Sequence, residues 1–405
     1  MPEIAPRPRR PRQAARPPES PPTAAPAGAS RPAAPATSAA ASPGLAWADR
    51  IARALGPWFV ANHRDLEWRR TRDPYAIWVS EIMLQQTRVD TVKAYWGPFM
   101  ARFPTVADLA AADEQDVLTA WSGLGYYRRA RLLHQGARHV ASRLGGSLPD
   151  EPAALREIPG IGRYTAGAIA SIAHDRPAAL VDGNVARVLS RLQALTDPKQ
   201  QDAGAAGHWA LAQQIVEAGS PRILAQALME LGATVCTPQN PRCDVCPVRR
   251  ECAAVRLGLA GSIPAPRQRA ASPQQDLWAV AVRRGGKLLL HRRPREGLLA
   301  GLWCLPLLER PPAPEDAPYG SLFDRTRLTP AAVRKLTGVA VTRMEAQREP
   351  VKHVFTHRVW LLWPARGDAV TDDPAIGDAA WIAPGERPGG GIPTVTEKLL
   401  ERLGY

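Results

Sequence analysis

The sequence contains no run of about 18 consecutive apolar residues, so no part of it is expected to span a membrane. A short apolar segment typical of a secretory signal does not follow the first residues either. Cysteine is scarce, with 5 residues in 405, which is too few for a disulfide scaffold. We therefore expect a cytoplasmic protein without a membrane partner.

Acidic residues are also in deficit. The chain has 52 Lys and Arg against 38 Asp and Glu, which gives a net charge of +14. Such an excess does not indicate a fold, but it favours a polyanionic partner. Nucleic acid is the usual partner of this kind, and a membrane surface is the alternative.

The composition changes along the chain and divides it into segments. Residues 1–43 are rich in Pro, Ala and Arg and hold too little apolar surface to offset the entropy of ordering. We expect this tail to be disordered, either with a weak role on DNA or without a specific function. Residues 44–260 carry apolar side chains at three- and four-residue spacing, which indicates helices.

A polar, proline-containing linker is predicted at residues 261–275. Residues 276–405 are predicted to form an α+β domain. Strand-like patterns occur at Leu277–Val282, Lys287–Leu290 and Val354–Trp363, the last rich in apolar, β-branched and aromatic residues.

Four of the five cysteines lie close together with the spacing C-x6-C-x2-C-x5-C; they are Cys236, Cys243, Cys246 and Cys252. Prolines turn the chain between them, so four thiolates can surround one compact centre. Zinc and a [4Fe–4S] cluster both accept four thiolates, and the spacing does not decide between them. Unrelated structural thiols are the alternative. Cys304 stands apart in an apolar stretch and is predicted to be a buried core thiol.

A turn at Pro159–Gly162 separates a short helix from a second one. Gly160 and Gly162 let the backbone approach a surface closely, and the amide groups at the new helix start favour a phosphate. An ordinary helix–helix turn is the alternative. Asp182 follows before another helix, where an Asp is usually an N-cap. Asp182 is nevertheless a catalytic candidate, because a hairpin precedes it and a cysteine centre follows it in the sequence.

Glu81 is predicted to lie on a helix whose neighbouring face is apolar. A carboxyl group there should have a raised pKa, as a general acid near neutral pH needs. A rim glutamate paired with Arg88 or Lys93 is the alternative. Gln85 and Gln86 are expected in the middle of the same helix, where amides can fill the space that an extruded base leaves, or can be ordinary surface residues.

Five segments occur in a fixed order: WVSEIMLQQTRVDTV, WSGLGYYRRARLLH, IPGIGRYTAGAI, VDGNVARVL and CTPQNPRCDVCPVRREC. Together they resemble the adenine DNA glycosylase family, usually called MutY, within the helix-hairpin-helix glycosylase superfamily. The resemblance covers about residues 45–405. It implies a mainly α fold, a six-helix barrel beside an iron–sulfur cluster domain, followed by an α+β Nudix-like domain that reads 8-oxoguanine. The glutamate-rich helix of a hydrolytic Nudix box is not found, so this domain is expected to recognise and not to hydrolyse.

The resemblance also implies roles for single residues. Glu81 and Asp182 match the catalytic carboxylates, Tyr164 and Asn184 are expected to orient Asp182 and the sugar, and the four clustered cysteines match the ligands of a [4Fe–4S] cluster. The bifunctional endonuclease III type has Lys at the position of Tyr164; because a phenol forms no imine, Tyr164 implies a monofunctional enzyme. Positions that contact DNA or the target base are matched by Arg64, Trp68, Arg69, Gln85, Gln86, Tyr126, Gln226, Phe355, Thr356 and His357. The family usually has Ser where Thr356 stands, and Thr keeps the hydroxyl group.

The implied activity is hydrolysis of the N-glycosidic bond of adenine mispaired with 8-oxoguanine or guanine in base excision repair. The expected partner is double-stranded DNA with such a mispair, bound by a monomer at the nucleoid. Two rival functions are a lyase acting on oxidised pyrimidines and a silent DNA-binding module. Tyr164 and the extra C-terminal domain speak against the first, and the presence of both Glu81 and Asp182 speaks against the second.

Overall fold

The structure is a computed structural model that describes residues 45–265, 272–310, 328–347, 349–370 and 378–405. The tail predicted at residues 1–43 lies outside this part of the chain, as do residues 266–271 of the predicted linker. Within the described ranges, no helix is both long and apolar enough to cross a membrane.

The first half of the described chain is helical. Its helices are α1 Leu45–Asn62, α2 Pro74–Leu84, α3 Val89–Arg102, α4 Val106–Ala111, α5 Glu114–Ala120, α6 Arg128–Arg143, α7 Pro152–Leu155, α8 Arg163–Ala168, α9 Gly183–Leu192, α10 Ala206–Glu217, α11 Pro221–Thr234 and α12 Ala253–Arg256. Short 3-10 turns occur at Glu67–Arg69 and Arg249–Glu251, and a π-helical turn at Ile169–Ala173 extends α8.

Two apolar clusters form the core of this helical half. One lies between α1, α9, α10 and α11, and the other is built mainly from α2, α3, α5, α6 and α8. The start of α2 is fixed locally, since Pro74 occupies its first turn and the Asp73 carboxylate accepts hydrogen bonds from the amides of Tyr75 and Ala76. Ile263, predicted to lie in the linker, is buried in the first of these clusters.

The second half is built around a mixed sheet. Its strands are β1 Gln274–Arg284, β2 Lys287–Arg292, β3 Trp303–Cys304, β4 Leu307–Glu309, β5 Val341–Ala346, β6 Val351–Val354, β7 Val359–Ala369 and β8 Ala379–Ile382, and its helices are α13 Pro330–Thr337 and α14 Thr394–Leu403. The strand order in the described part is β3-β2-β1-β7-β5, with β4 beside β1, β6 beside β7 and β8 beside β2. Strands β1 and β7 pair in parallel from Gln274–Val359 to Arg283–Asp368.

Alternate residues of β1 belong to different cores. Leu277 and Ala279 pack on the face covered by α14, whereas Trp278 and Val280 pack on the face covered by α13. A strand buried on both faces reads as a continuous apolar run, which explains why it was recognisable in the sequence. The predicted fold class, a mainly helical part followed by an α+β part, is confirmed.

The segment Val354–Trp363, predicted as one strand, is two strands of a hairpin. Strand β6 ends at Val354, and β7 begins at Val359. The amide of Phe355 donates to the carbonyl oxygen of Arg358, 2.8 Å away, and closes the loop. The prediction of a single strand was therefore wrong, because the apolar residues on both sides outweighed the polar turn residues Thr356, His357 and Arg358.

The two halves are joined by a docking segment, residues 389–392. The amide of Gly390 donates to Thr119 Oγ1 (2.9 Å), and the carbonyl oxygen of Ile392 accepts from Ser122 Oγ (3.0 Å) and Tyr127 Oη (2.6 Å). Leu302 also belongs to the helical half by its packing, since it is buried within the core cluster of α2, α3, α5 and α6.

Candidate active site and cysteine centre

Glu81 lies on α2 and is almost completely buried, with 4% of its surface exposed. Its Oε2 accepts a hydrogen bond of 2.8 Å from the hydroxyl group of Tyr164 on α8. Burial raises the pKa of Glu81 to about 7, helped by the nearby charge of Asp182, while the Tyr164 hydrogen bond and Arg69 oppose the rise. Glu81 is therefore not a rim residue paired with Arg88 or Lys93.

Asp182 is held by two hydrogen bonds at the start of α9. As the N-cap of α9, its Oδ1 accepts from the amide of Val185 at 2.8 Å, and its Oδ2 accepts from the side-chain amide of Asn184 at 2.9 Å. These bonds fix the orientation of the carboxylate. The capping role does not exclude a chemical one, because Asp182 and Asn184 line the same cavity as Glu81 and Tyr164.

That cavity, here called the cleft, has a volume of about 690 Å³. The sequence predicted many residues that line it: Arg64, Trp68, Arg69, Glu81, Gln85, Gln86, Gly162, Tyr164, Asp182, Asn184 and Gln226. Tyr126, Gly160 and the loop of residues 355–357 are not part of its lining. The fold thus places two carboxyl groups, those of Glu81 and Asp182, in one cavity that basic and apolar side chains also line.

Glu230 on α11 was missed by the sequence reasoning. Its side chain is fully buried and accepts from Arg64 Nε and Nη2, each at 2.8 Å, and from Arg69 Nη2 at 2.7 Å. Burial acts to raise the pKa of Glu230, but the hydrogen bonds from both arginines outweigh it and lower the pKa to about 2. Glu230 stays ionised and holds the two arginines at the cleft. Its position one turn after Gln226 was the only signal in the sequence.

Gln85 and Gln86 do not lie in the middle of a helix as predicted. Helix α2 ends at Leu84, and Gln86 has a φ of 57° in the turn before α3. Tyr126 has a φ of 49° in another turn, and 46% of its surface is exposed. Both turns are strained for residues with a side chain, and such strain persists only where neighbouring structure enforces it.

The two glycines of the hairpin, Gly160 and Gly162, differ in backbone conformation and in the space beside them. Gly160 has a φ of 85°, and a Cβ atom there would lie 2.8 Å from Leu132 Cβ. Gly162 has a φ of −87°, and nothing lies within 4 Å of the position that its Cβ would take. The fold therefore requires Gly160, whereas Gly162 leaves open space beside the start of α8.

The four clustered cysteines line one cavity, together with apolar side chains from α9, α11 and α12. Burial raises the pKa of Cys246 to about 12 and also raises the pKa of Cys243 and Cys252, so the thiolates need a cationic centre to form. Within the described residues, no group of three or more His, Cys, Asp or Glu side chains forms a metal site as it stands. The thiols of Cys236, Cys243, Cys246 and Cys252 are the donors that this cavity would offer to a metal centre.

Two buried arginines of α9 bond to the cysteine loop, and one of them, Arg187, also links it to Asp182 through Asn184. Arg187 donates to the carbonyl oxygen of Cys236 (2.8 Å) and to Asn184 Oδ1 (2.9 Å), and Asn184 in turn donates to Asp182. Arg191 donates to Cys236 Sγ at 3.2 Å. The cysteine loop and Asp182 are thus connected by hydrogen bonds that arginine and asparagine side chains of α9 make. Cys304 is buried in the other half, as predicted for a core thiol.

The loop of residues 355–357 lies at the hairpin between β6 and β7. Phe355 is partly buried, with its ring 4.9 Å from that of Trp360, while Thr356 and His357 are exposed. Thr356 Oγ1 is 3.2 Å from the hydroxyl group of Tyr126. The loop therefore contacts the turn of the helical half that contains Tyr126.

Comparison with known proteins assigns both halves to families. Residues 79–209 match the HhH-GPD superfamily of base excision DNA repair proteins, and residues 277–402 match the NUDIX domain. The second half is thus Nudix-like, as the resemblance implied.

Curated relatives match most of the described chain. The adenine DNA glycosylase of Rattus norvegicus is 40% identical over 313 residues, which cover 64% of this chain and 61% of that protein. That of Homo sapiens is 40% identical over 303 residues, 62% of this chain and 56% of the relative. That of Buchnera aphidicola subsp. Schizaphis graminum is 31% identical over 250 residues, 62% of this chain and 72% of the relative. The chain thus spans about three fifths of the length of the two mammalian relatives.

Proposed function

The chain belongs to the adenine DNA glycosylase family, and from this membership we propose that it is a monofunctional DNA glycosylase of base excision repair. Its substrate is adenine mispaired with 8-oxoguanine or with guanine in double-stranded DNA. The observation that carries the proposal is the Glu81 carboxyl group, which is buried with a pKa of about 7 in a cleft that Asp182 also lines.

Glu81 supplies the proton that makes adenine a leaving group. A carboxylic acid with a pKa near neutrality is protonated often enough to donate to N7 of the base and becomes basic enough afterwards to activate water. Breaking the bond leaves an oxocarbenium-like sugar, as in glycoside hydrolysis. Asp182, oriented by Asn184, is the carboxylate that stabilises this cation, so two carboxyl groups take opposite roles.

The target adenine has to leave the base stack to reach Glu81. The cleft is lined by cationic, aromatic and amide side chains that suit an extruded purine: Arg64, Arg69, Trp68 and Gln226. Gln85 and Gln86 line the cleft at the turn after α2, and Tyr126 lies on the turn before α6. These three residues enter the duplex in place of the extruded adenine.

The absence of lysine from the cleft supports a monofunctional enzyme. No lysine occurs among the described residues that line the cleft, and Tyr164, bonded to Glu81, offers a phenol where a lyase needs an amine. The reaction should therefore end with an abasic site in an intact strand.

Recognition of 8-oxoguanine is assigned to Phe355, Thr356 and His357. The contact of 3.2 Å between Thr356 and Tyr126 supports this role, because it brings the loop to the residue that enters the duplex. The cluster proposed for the cysteine cavity is [4Fe–4S]. When bound, it would tie the four thiolates together and hold a loop whose Arg242, Arg249 and Arg250 suit DNA phosphates. Stoichiometric zinc without iron after anaerobic purification would contradict it.

A substrate panel tests the activity. Duplexes with A opposite 8-oxoguanine, A opposite guanine, and thymine glycol opposite A are incubated with the protein, with and without alkali. We expect alkali-dependent cleavage at the mispaired A alone, fastest opposite 8-oxoguanine, and little covalent complex after borohydride treatment. Cleavage at thymine glycol, or efficient borohydride trapping, would assign the chain to the lyases instead.

A further inference from the structure

Arg129, near the start of α6, is a buried cation to which the proposed mechanism gives no role. Only 8% of its surface is exposed, and burial lowers its pKa to about 10, so it remains charged at neutral pH. All of its described hydrogen bonds go to uncharged oxygen atoms. The acceptors are the carbonyl oxygens of Ile82 (2.8 Å), Met83 (2.8 Å), Gln85, Leu124 (3.3 Å) and Gly125 (3.1 Å), and Thr87 Oγ1 (3.0 Å).

These acceptors belong to two separate turns. Ile82 and Met83 lie in the last turn of α2, directly after Glu81, and Gln85 is its C-cap. The last carbonyl groups of a helix have no partner within the helix and need other donors. Leu124 and Gly125 precede Tyr126 in the turn before α6. One guanidinium group thus bonds both turns at once, using its planar fork of donors.

Each of the two turns contains a residue with a side chain in the left-handed region. These are Gln86, with a φ of 57°, and Tyr126, with a φ of 49°. The Arg129 guanidinium also lies 5.4 Å from the ring centres of Trp121 and Tyr126, so it contacts the tyrosine ring as well as the backbone before it. Backbone strain of this kind is unfavourable at each position and requires surrounding contacts that enforce it.

We propose that Arg129 is a positioning residue that holds the Gln85–Gln86 turn and the Tyr126 turn in the geometry needed to open the duplex. The inference rests on the proposed function, in which these residues enter the DNA. Arg129 is not among the described residues that line the cleft, and none of its described hydrogen bonds goes to Glu81, so it acts on extrusion of adenine and not on proton transfer. Initial binding to the duplex depends on exposed cations elsewhere and is not affected.

The Arg129→Lys variant separates charge from geometry. Lysine keeps the cation, but a single ammonium group has three donors without the planar fork and cannot reach both turns. Thr87→Val is a milder variant, since it removes one acceptor of Arg129 and leaves the guanidinium in place. Arg102→Lys, on an exposed ion pair with Asp116, is the matched control.

Three readouts are compared on a duplex with A opposite 8-oxoguanine: affinity, fluorescence of 2-aminopurine placed beside the target adenine, and the single-turnover excision rate with its pH profile. For Arg129→Lys we expect wild-type affinity, a reduced fluorescence rise, and a rate about tenfold to a hundredfold lower. The alkaline limb of the pH profile should not move. Thr87→Val should change the same readouts in the same direction by less, and Arg102→Lys should change none.

A full fluorescence rise in the folded Arg129→Lys variant would overturn the proposal, and so would a parallel loss of affinity and fluorescence. If Arg129→Lys does not fold, Thr87→Val decides by the same criteria. Failure of the proposed function is a different result, because the wild-type protein would then excise no adenine although its variants still differed in 2-aminopurine fluorescence.

Discussion

Glu81 carries a carboxyl group that burial keeps protonated up to about neutral pH, while the hydroxyl group of Tyr164 acts in the opposite direction. An unfolded chain gives the same carboxyl group its ordinary pKa of 4.5. Between these two values the folded protein binds more protons than the unfolded one, so the free energy of unfolding falls as the pH rises through this window.

The Glu81→Gln variant should therefore be more stable than the wild type at pH 8. A shift from 4.5 to about 7 corresponds to about 3 kcal/mol. The gain should vanish below pH 4.5, where the carboxyl group is neutral in both states. Urea unfolding at pH 4 and pH 8 measures it, with Glu157→Gln, an exposed glutamate, as the control. Equal stability of Glu81→Gln and wild type at pH 8 would show that the carboxyl group is not desolvated.

The Tyr164→Phe variant keeps the Glu81 carboxyl group and changes its pKa. Loss of the 2.8 Å hydrogen bond removes an influence that lowers the pKa of Glu81, so that pKa should rise. We expect the alkaline limb of the single-turnover pH profile to move to higher pH, while the protein still releases adenine. A limb that stays in place, or moves to lower pH, would contradict the role given to this bond.

The hairpin element allows a matched pair of glycine substitutions. Gly160→Ala combines a φ of 85° with a contact of 2.8 Å to Leu132 Cβ, and we expect it to cost about 2–4 kcal/mol of stability. Gly162→Ala meets no neighbour and should cost less than about 1 kcal/mol. Its methyl group would instead keep a DNA phosphate from the backbone and weaken DNA binding. Thermal melts and duplex titrations distinguish the two, and a reversed order would contradict the assignment.

Elements with a clear period were predictable from the sequence, and their ends were not. The helical half repeats its apolar residues at three- and four-residue spacing, and β1 carries the unbroken apolar run Leu277–Val282. Gln85 and Gln86 were misplaced because no Gly or Pro marks the end of α2, and the enforced turn comes from Arg129, which is 44 residues away from Gln85. The loop between β6 and β7 was likewise missed, because apolar residues stand on both sides of it.

The cleft was predictable where a motif named its residues, and Glu230 shows the limit. Glu230 meets Arg64 across 166 residues and Arg69 across 161, so nothing local in the sequence pairs them. The position of Glu230 one turn after Gln226 does not identify these partners. The folded chain gives it two cationic partners, and only then does its ionised state make sense.

On the scale of the whole molecule, the docking segment of residues 389–392 sets how the loop of residues 355–357 meets the helical half. The Cβ that Gly391→Ala adds would lie 2.9 Å from Leu302 and from Tyr127, and displacing these contacts should move Thr356 away from Tyr126. We expect adenine opposite guanine to be excised nearly as before, while the preference for 8-oxoguanine falls.

Gly389→Ala is the control for that variant, because nothing lies within 4 Å of the atom it adds. Single-turnover rates on the two mispairs measure the preference for each protein. If Gly391→Ala keeps the wild-type ratio while its docking is disturbed, then recognition of the oxidised base does not depend on the junction between the halves.

Leu302 and Ile392 contact the helical half, whose residues the ribosome synthesises much earlier. A ribosome adds about 5–20 residues per second, so the 265 residues between Tyr127 and Ile392 take roughly 13–53 s to synthesise. After α12 is complete at Arg256 and until Ile392 is made, the newborn helical half displays an uncovered apolar patch beside Tyr127. We expect arrested nascent chains that end before residue 300 to be cut by protease near this patch and to bind chaperones, and full-length chains to resist both.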